Sequence, residues 1–594
     1  MKSVEWSHLP DGVHVFPVNS SVGTVADTIC LGKPSPAECL ASIDPQHRLI
    51  SYPRSLNGPD RCDKPNQKGV SHLGCNIQGM NWSCRSCACN ATNALCKRHG
   101  CKQPGRTANW APVLEMAADV GRKCRVTTFS YWLKQQEEWI FKWPKSKQDA
   151  IVRSRIEDPN LPSEVSAHNK REANINPPTK SRLIQAYANL RTQAGTEFSE
   201  FAPMLYSTQK ALTSLFRRYH CNPNSTEPAV RISMTSGMSY SQISALINDI
   251  MGSYGEHRVF ECDGKNWDAT QHSLCHQVKT VFMTEAAGGA GSDGARGVTD
   301  QIDRGFESRG VFRTAKGFTD LKYRLHGTVK SGHNDTTLGN TVVNALVNAD
   351  ICRQLGLRAD VIVAGDDLLI IYDPIRQSGT TPPIPHPTAL DFTSRISSFG
   401  FVPKGDITDD LSHAQFVSLG FFRVGDNRWY ASPLPGKVLS KFLTTVRAPR
   451  RKDLATFVHS ICCGLRFSMG RMPIARVFID SHDSHLQSAD LLVSVEQNAI
   501  RVHKKWFHLE DSLYSATVSE EVMMQAFCTR YGFTEEQINA FETALFNTFE
   551  ALRTSDGMIT PCTVVHPILK WIQAVDTADP NERFVMLRQG YQLQ

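Results

Sequence analysis

Two adjacent carboxylates interrupt an otherwise apolar stretch of the chain. Asp366 and Asp367 lie in the middle of "VIVAGDDLLIIY", residues 361–372. The aliphatic and β-branched flanks predict two strands joined by a tight turn at Gly365, which would present both carboxylates at one end of the strand pair. A solvated hairpin turn would explain the same residues, and the pattern alone is a weak signal.

A second acidic pair lies about a hundred residues upstream, in "FECDGKNWDATQH". There an apolar strand ends at Asp263, and Asp268 follows five positions later. If Asp263 met Asp366 and Asp367 at neighbouring strand ends, the carboxylates would repel one another unless divalent cations held them. Two Mg²⁺ or Mn²⁺ ions satisfy this requirement, and such a pair activates a hydroxyl and neutralises the charge on a transferred phosphoryl group. Two unrelated acidic turns are the alternative.

Between the two acidic segments the sequence predicts a helix with a polar face. Ser331 and Gly332 open a turn in "SGHNDTTLGN", and Thr336 and Asn340 then lie four residues apart on one face of the helix. An ordinary capped helix explains the serine and the glycine. It does not explain a polar face that recurs at Asn344 on an otherwise apolar helix. The sugar of a bound nucleotide is one partner for such groups.

A cysteine-rich stretch lies between positions 62 and 101. The pairs "CRSC" and "CKRH" supply Cys84, Cys87, Cys96 and His99, at a spacing that can close a tetrahedral Zn²⁺ site. A loop of free thiols is the alternative. The chain starts without a signal-peptide pattern and has no run of about 18 apolar residues, so we expect it neither to span a membrane nor to be secreted. In a reducing compartment its cysteines would be thiols or metal ligands rather than disulfides.

Bulk composition is that of a multidomain globular protein. The chain has 594 residues, a mass of 66.1 kDa and 41% hydrophobic residues, which excludes a mainly disordered protein. Its formal net charge of +7 permits nucleic-acid binding without requiring it.

The three polar segments together resemble motifs of viral RNA-dependent RNA polymerases. "DGKNWD" is similar to their motif A, "SGHNDTTLGN" to motif B and "AGDDLL" to motif C, in the same order. "HNKREANINPPTKSRLIQ" (168–185) resembles the basic motif F, "FGFVPKGD" motif D and "FVSLGFFRV" (416–424) motif E. The resemblance covers about residues 165–445 and is loosely to positive-strand polymerases of the tombusvirus or nodavirus type.

The resemblance implies a role for each of these segments. Asp263 and Asp366 would hold the two catalytic cations with Asp367 beside them, and Lys404 would protonate the leaving pyrophosphate. Asp268 and Asn340 would recognise the ribose 2′-hydroxyl. Ser331, Gly332 and Thr336 would also contact the nucleotide, and the triphosphate would be bound by Lys170, Arg171, Lys180 and Arg182.

The resemblance also implies an α+β right-hand polymerase with fingers, a palm built on an antiparallel sheet, and a mostly helical thumb. We expect a Cys/His-rich N-terminal module at 1–110, fingers at 111–255, the palm at 256–430 with a finger insertion around 285–320, and the thumb and C-terminal region at 431–594. The basic stretch "KVLSKFLTTVRAPRRKD" (437–453) predicts a surface that tracks RNA phosphates, formed by Lys437, Lys441, Arg447, Arg450 and Arg451.

The expected activity is synthesis of RNA from nucleoside triphosphates on a single-stranded viral RNA template. We expect other viral replication proteins as partners, membrane association only through those partners, and a location in the host cytoplasm at virus-induced membrane replication sites. A reverse transcriptase shares the palm carboxylates, but such enzymes usually carry an aromatic residue before the paired acids, where this chain has Ala364 and Gly365. A non-catalytic, zinc-dependent RNA-binding protein is the alternative from another class.

Overall fold

A computed structural model of the chain describes residues 13–17, 28–55, 62–67, 69–78, 81–141, 145, 148–149, 164–179, 182–187, 202–221, 227–330, 335–373, 386–426, 428–446, 454–484 and 514–591. The α-helices in these ranges are α1 (Pro36–Ser42), α2 (Ala88–Ala94), α3 (Ala111–Phe141), α4 (Ala202–Leu215), α5 (Tyr240–Met251), α6 (Trp267–Thr270), α7 (Ser273–Ala286), α8 (Asp293–Phe306), α9 (Thr336–Gln354), α10 (Ala389–Ser398), α11 (Pro435–Leu439), α12 (Leu454–Met469), α13 (Ala475–Asp483), α14 (Glu520–Tyr531), α15 (Glu535–Ala551), α16 (Pro567–Thr577) and α17 (Pro580–Gln589). A π-helical turn at Leu95–His99 continues α2, and 3-10 turns lie at Leu411–His413 and Tyr514–Thr517. Within the described ranges, no helix is both long enough and apolar enough to cross a membrane.

The strands form two larger sheets and several small ones. The six-stranded sheet has the order β15 (Pro403–Thr408), β10 (Arg258–Gly264), β14 (Asp367–Tyr372), β13 (Ala359–Ala364), β9 (Val230–Met234), β8 (Tyr219–His220). The five-stranded sheet has the order β3 (Arg48–Ser51), β12 (Leu321–His326), β11 (Glu307–Phe312), β6 (Glu164–Asn169), β7 (Leu183–Tyr187). The smaller sheets are β16 (Gln415–Phe416), β17 (Leu419–Arg423) with β18 (Trp429–Pro433); β1 (His14–Pro17) with β20 (Cys562–Val565); β2 (Thr28–Ile29) with β5 (Ser83–Cys84); and β4 (Ser71–His72) with β19 (Thr444–Thr445).

The six-stranded sheet is buried on both faces, which explains why its central strands are apolar at successive positions. In β14, Leu368 and Ile370 face a core packed by α3, α7 and α9, whereas Leu369 and Ile371 face a core formed by α5 and the three-stranded sheet. Successive side chains of a strand point to opposite faces, so burial of both faces requires apolar residues at every position. Neighbouring strands are antiparallel except β9 and β13, so the expected antiparallel sheet carries one parallel pair.

The cysteine-rich N-terminal segment is joined to the rest of the chain by shared sheets. Strand β3 pairs with β12, and β6 pairs with β11, so segments 48–51, 164–187 and 307–326 contribute to one sheet. Strand β1 pairs with β20 near the other end of the chain, with His14 opposite Val565. Strand β4 also pairs with β19, so the boundary expected at residue 110 is crossed by three sheets. The expected insertion around 285–320 supplies strand β11 of the five-stranded sheet.

The C-terminal helices close onto the edge of the six-stranded sheet through a buried ion pair. The Arg583 guanidinium in α17 donates to the Glu261 carboxylate in β10, and Arg583 is only 1% exposed. The same carboxylate accepts a hydrogen bond from the Gln415 backbone N–H at 2.7 Å, and Arg583 Nε donates to the His413 carbonyl at 3.0 Å. One buried charge pair thus links α17, strand β10 and the start of the three-stranded sheet.

Replacing Arg583 with methionine should lower the free energy of unfolding by roughly 3–5 kcal/mol, because the Glu261 carboxylate would stay buried without its cation. Thermal denaturation followed by circular dichroism measures the loss. The double variant Arg583→Met/Glu261→Gln removes both charges and should recover part of the stability. A single variant as stable as the wild type would show that the pair does not hold the C-terminal helices in place.

Candidate active site

The strand ends of the six-stranded sheet open into a cleft of about 1850 Å³. Nine of the polar residues that the sequence singled out line this one space, although they come from elements far apart in the chain. The lining includes Arg98, Arg182, Asp263, Asp268, Thr336, Asn340, Asp366, Lys404, Lys437 and Lys441.

The turn that carries the paired aspartates is fixed by the neighbouring helix α9. Strands β13 and β14 form the predicted strand–turn–strand, with Ala364 opposite Asp367 and Gly365 at a φ of +66°, a conformation that glycine adopts without strain. The Gly365 N–H donates to Thr341 Oγ1 at 2.9 Å, and Asn344 Nδ2 donates to the Gly365 carbonyl at 3.1 Å. Asn344 therefore holds the turn, whereas the sequence had placed it on a nucleotide-binding face.

Asp263 lies at the same edge of the sheet as the turn. Cys262 of β10 is paired with Leu368 of β14, so Asp263 and Asp367 follow at adjacent strand ends. Burial and the nearby Asp366 raise the pKa of Asp263, and burial together with Asp366 and Asp263 raises the pKa of Asp367 to about 7. Carboxylates that resist ionisation because they lie beside one another at the strand ends are a fitting donor set for hard divalent cations, which would remove the repulsion.

Two guanidinium groups form ion pairs with Asp268, which lies on the short helix α6 after strand β10. Asp268 is buried, and its Oδ2 lies 3.6 Å from Arg182 Nη2 and 3.9 Å from Arg98 Nη2. The Nε atoms of Arg98 and Arg182 are buried and have no hydrogen-bond partner in the described part of the chain. Each of these two arginines therefore has a buried Nε–H group at the wall of the cleft that is available to donate a hydrogen bond.

Arg98 is a site residue that sequence reasoning missed. It lies on the π-helical turn after α2, inside the "CKRH" that the sequence interpreted as a zinc-binding pair. The adjacent His99 is fully buried, and burial with the charges of Arg98 and Arg182 lowers its pKa to about 3. The neutral ring accepts a hydrogen bond from the Leu183 N–H at 3.0 Å, next to Arg182. No local pattern marks Arg98, since its position depends on this long-range contact.

The helix α9 begins at Thr336 and presents the expected polar residues to the cleft. Thr336 Oγ1 donates to the Lys330 carbonyl at 2.7 Å, which fixes the start of the helix. Asn340 is 4% exposed, and its Oδ1 has no hydrogen-bond partner among the residues described. Ser331 and Gly332 lie outside the described residues.

Several of the predicted cations already have partners. Lys404 is on strand β15, opposite Asp263, and its Nζ forms an ion pair with Asp579 at 2.7 Å. Lys437 Nζ donates to Gln415 Oε1 at 3.0 Å, and Lys170 Nζ lies 2.8 Å from Glu172. Arg171 has an intermediate exposure and does not line the cleft, whereas Lys441 does. Lys180, Arg447, Arg450 and Arg451 lie outside the described residues.

The zinc ligands predicted from sequence are not brought together. Cys96 forms a disulfide with Cys39, contrary to the expectation of thiols or metal ligands, and His99 accepts a hydrogen bond from the Leu183 N–H. Cys84 lies on β5 opposite Ile29 and belongs to no group of potential metal ligands within the described ranges. Of the predicted set, only Cys87 belongs to such a group, with Cys30, Cys62 and Cys89. The spacing of two local pairs failed as a guide because distant segments supply the neighbours.

Two protein-family models match the chain. One, described as viral RNA-directed RNA-polymerase, matches residues 106–379, and the other, described as viral RNA dependent RNA polymerase, matches residues 290–548. Both matched ranges contain Asn340 and the Asp366 turn. The chain belongs to the viral RNA-dependent RNA polymerases. A search of curated proteins found no match.

Membership of this family settles the main expectations from the sequence. The polymerase synthesises RNA on an RNA template during viral replication, and it has a mixed α and β architecture of the right-hand type. Such enzymes bind template RNA and nucleoside triphosphates and use divalent Mg²⁺ or Mn²⁺ in catalysis. A reverse transcriptase and a non-catalytic RNA-binding protein are not favoured.

Without divalent cations, the polymerase should lose stability as the pH rises from about 4 to about 7. The folded-state pKa of Asp367, about 7, lies above its ordinary value, so the folded protein keeps a proton that the unfolded chain has lost. Asp367→Asn removes this cost and should raise the melting temperature in EDTA more at about pH 8 than at about pH 5. An equal increase at both pH values would contradict the raised pKa.

Proposed function

We propose that the cleft binds a ribonucleoside triphosphate between the carboxylates at the strand ends and the Arg98–Arg182 pair, and adds its nucleotide to the 3′ end of a growing RNA. The observation that carries the proposal is a set of unsatisfied buried polar atoms in one cleft: Arg98 Nε, Arg182 Nε and Asn340 Oδ1. Unpaired buried polar atoms are costly, so their presence supports a ligand that carries both anionic oxygens and a hydroxyl group.

In this assignment Asp263 and Asp366 hold two Mg²⁺ or Mn²⁺ ions, with Asp367 beside them. When bound, the cations supply an activated 3′-hydroxyl and neutralise the charge that develops on the pyrophosphate. The protein contributes a fixed position for each carboxylate: Asp366 through the turn that α9 holds, and Asp263 through the paired strand β10. Lys437 adds positive charge near Asp367 and Asp263.

Arg98 and Arg182 bind the triphosphate oxygens, since guanidinium groups keep their charge when buried and suit phosphate geometry. Asp268, which both arginines contact, and Asn340 recognise the ribose 2′-hydroxyl. Lys404 lies on the strand directly beside Asp263 and is now paired with Asp579. In the reaction its ammonium group leaves Asp579, binds a phosphate oxygen and protonates the leaving pyrophosphate. Lys441 binds RNA phosphates further along the same cleft.

The sheets support a division into fingers, palm and thumb that differs from the one expected from the sequence. We assign the six-stranded sheet with α7, α9 and α10 to the palm. The five-stranded sheet belongs to the fingers, and it includes β3 from the N-terminal segment as well as β11 and β12. The helices α12 to α17 belong to the thumb, which is tied to the palm through Arg583 and Glu261.

Asp263→Ala and Asp366→Ala should each abolish nucleotide incorporation while leaving RNA affinity nearly unchanged, because the carboxylates act on chemistry and the basic surface binds RNA. Primer extension with Mg²⁺ or Mn²⁺ and filter binding measure the two properties. Asp409→Ala, which removes an exposed carboxylate near the same sheet, is the control and should stay active. Incorporation by either active-site variant above about a few per cent of the wild type would refute the assignment of cation ligands.

Asn340→Ala should reduce discrimination against deoxynucleotides by roughly tenfold, while the affinity for the triphosphate changes little. A site built to bind a hydroxyl leaves its own buried groups unpaired when the hydroxyl is missing, at a cost of about 1–3 kcal/mol per group. Single-nucleotide incorporation with ATP and dATP gives the ratio of kcat/KM values. Leu338→Ala, on the same helix but in the core, controls for loss of packing. An unchanged ratio would mean that Asn340 serves only the packing of α9.

A further inference from the structure

Four cysteine thiols from three separate stretches converge in the N-terminal segment. The sulfur atoms of Cys30, Cys62, Cys87 and Cys89 all lie within 4.8 Å of one another, and those of Cys87 and Cys30 are 3.9 Å apart. In a tetrahedral Zn²⁺ site, with Zn–S bonds of about 2.3 Å, the sulfur atoms are roughly 3.8 Å apart. We propose that this group, the four-thiol cluster, binds one Zn²⁺ ion as four thiolates, whose protons pass to solvent on binding.

The backbone around the four-thiol cluster is organised by hydrogen bonds that do not involve sulfur. Asn90 links the first and third stretches: its Oδ1 accepts from the Leu31 N–H at 2.8 Å, and its Nδ2 donates to the Ile29 carbonyl at 2.8 Å. Asp63 links the second stretch to the third by accepting from the Ala88 N–H at 2.7 Å. Cys87 and Cys89 are buried, and Cys30 and Cys62 are half-buried. The thiols are thus held together in a built site.

In the other group of potential metal ligands in the described ranges, the ligand atoms are already hydrogen-bonded to protein side chains. His459, Cys463 and Asp483 lie together between α12 and α13, but Arg466 Nη1 donates to Asp483 Oδ2 at 2.7 Å and His459 Nδ1 bonds Asp483 Oδ1. Among the described residues, no charged side chain is hydrogen-bonded to the four sulfur atoms. A set of four thiolates around a single ion is the donor set of structural zinc.

The four-thiol cluster is connected to the triphosphate-binding wall of the cleft, and this step rests on the proposed function. Cys87 immediately precedes α2, whose continuation carries Arg98 and His99. Asn169 Nδ2, at the end of β6, donates to the Cys87 carbonyl at 2.9 Å, and His99 accepts from the Leu183 N–H at the start of β7. Zinc would therefore fix the β6–β7 hairpin and both arginines, so that it positions Arg98 and Arg182 without touching the nucleotide.

Metal analysis of the full chain, purified gently under reducing conditions, tests the site directly. We expect about one zinc per chain in the wild type and in Asp366→Ala, which keeps the metal question separate from catalysis. Cys30→Ser and Cys89→Ser should each lose more than about half of the zinc, whereas Cys84→Ser, a ligand in the set that the sequence spacing suggested, should retain it. Zinc-free wild-type protein, disulfides among the four cysteines, or equal loss in Cys84→Ser would each overturn the proposal.

The positioning role is tested by kinetics and hydrogen exchange on the same variants. Cys89→Ser should raise the KM for nucleoside triphosphates about tenfold with a smaller change in kcat, because the arginines bind the substrate but do not take part in bond formation. Amide exchange should increase in residues 164–179 and 182–187 and stay unchanged in β13 and β14. A fall in kcat at unchanged KM, or faster exchange throughout the chain, would show that the metal stabilises the fold without positioning the arginines.

Discussion

Mutual repulsion among Asp263, Asp366 and Asp367 is the constraint on which the rest of the site depends. The three carboxylates lie at neighbouring strand ends, where burial and the nearby acids raise the pKa values of Asp263 and Asp367. The ionised form of these carboxylates is therefore unfavourable when no cation is bound. We expect the affinity of this site for divalent ions and its lower stability without them to have the same physical origin.

A site under such repulsion needs a rigid support, and α9 provides it. Thr341 and Asn344 bond both the N–H and the carbonyl of Gly365, so the turn cannot open to separate the carboxylates. Asn348, one helical turn further on, donates to Asn344 Oδ1 at 2.8 Å and thereby orients that amide. The polar residues of α9 therefore serve two purposes: Asn344 and Asn348 hold the turn, while Asn340 keeps an unpaired oxygen at the cleft.

Local patterns in the sequence predicted the carboxylate half of the site well. The apolar runs on both sides of Gly365 predicted two strands joined by a tight turn, and Asp263 was predicted at the end of another strand. The cysteine ligands could not be predicted in this way. Spacing favoured Cys84 with Cys87, yet the sulfur of Cys87 lies beside that of Cys30, which is 57 positions away, and Cys96 is paired with Cys39. Sequence proximity predicts chelation only when the fold leaves both side chains facing the same space.

Arg98 escaped prediction, whereas Arg182 on the same wall of the cleft was predicted. Carboxylates that hold catalytic cations need one fixed geometry, and strands with a tight turn supply it with a visible sequence pattern. A triphosphate needs positive charge at a given place, which any element of the fold can deliver. In the proposed site, part of this charge comes from Arg98 on the helical turn at residues 95–99, ahead of the family-matched region that begins at residue 106. The contact of His99 with Leu183 links this turn to the strand next to Arg182. The sequence pattern of the strands and their turn therefore predicts the positions of the acids. Which arginine lines the cleft depends on the tertiary structure.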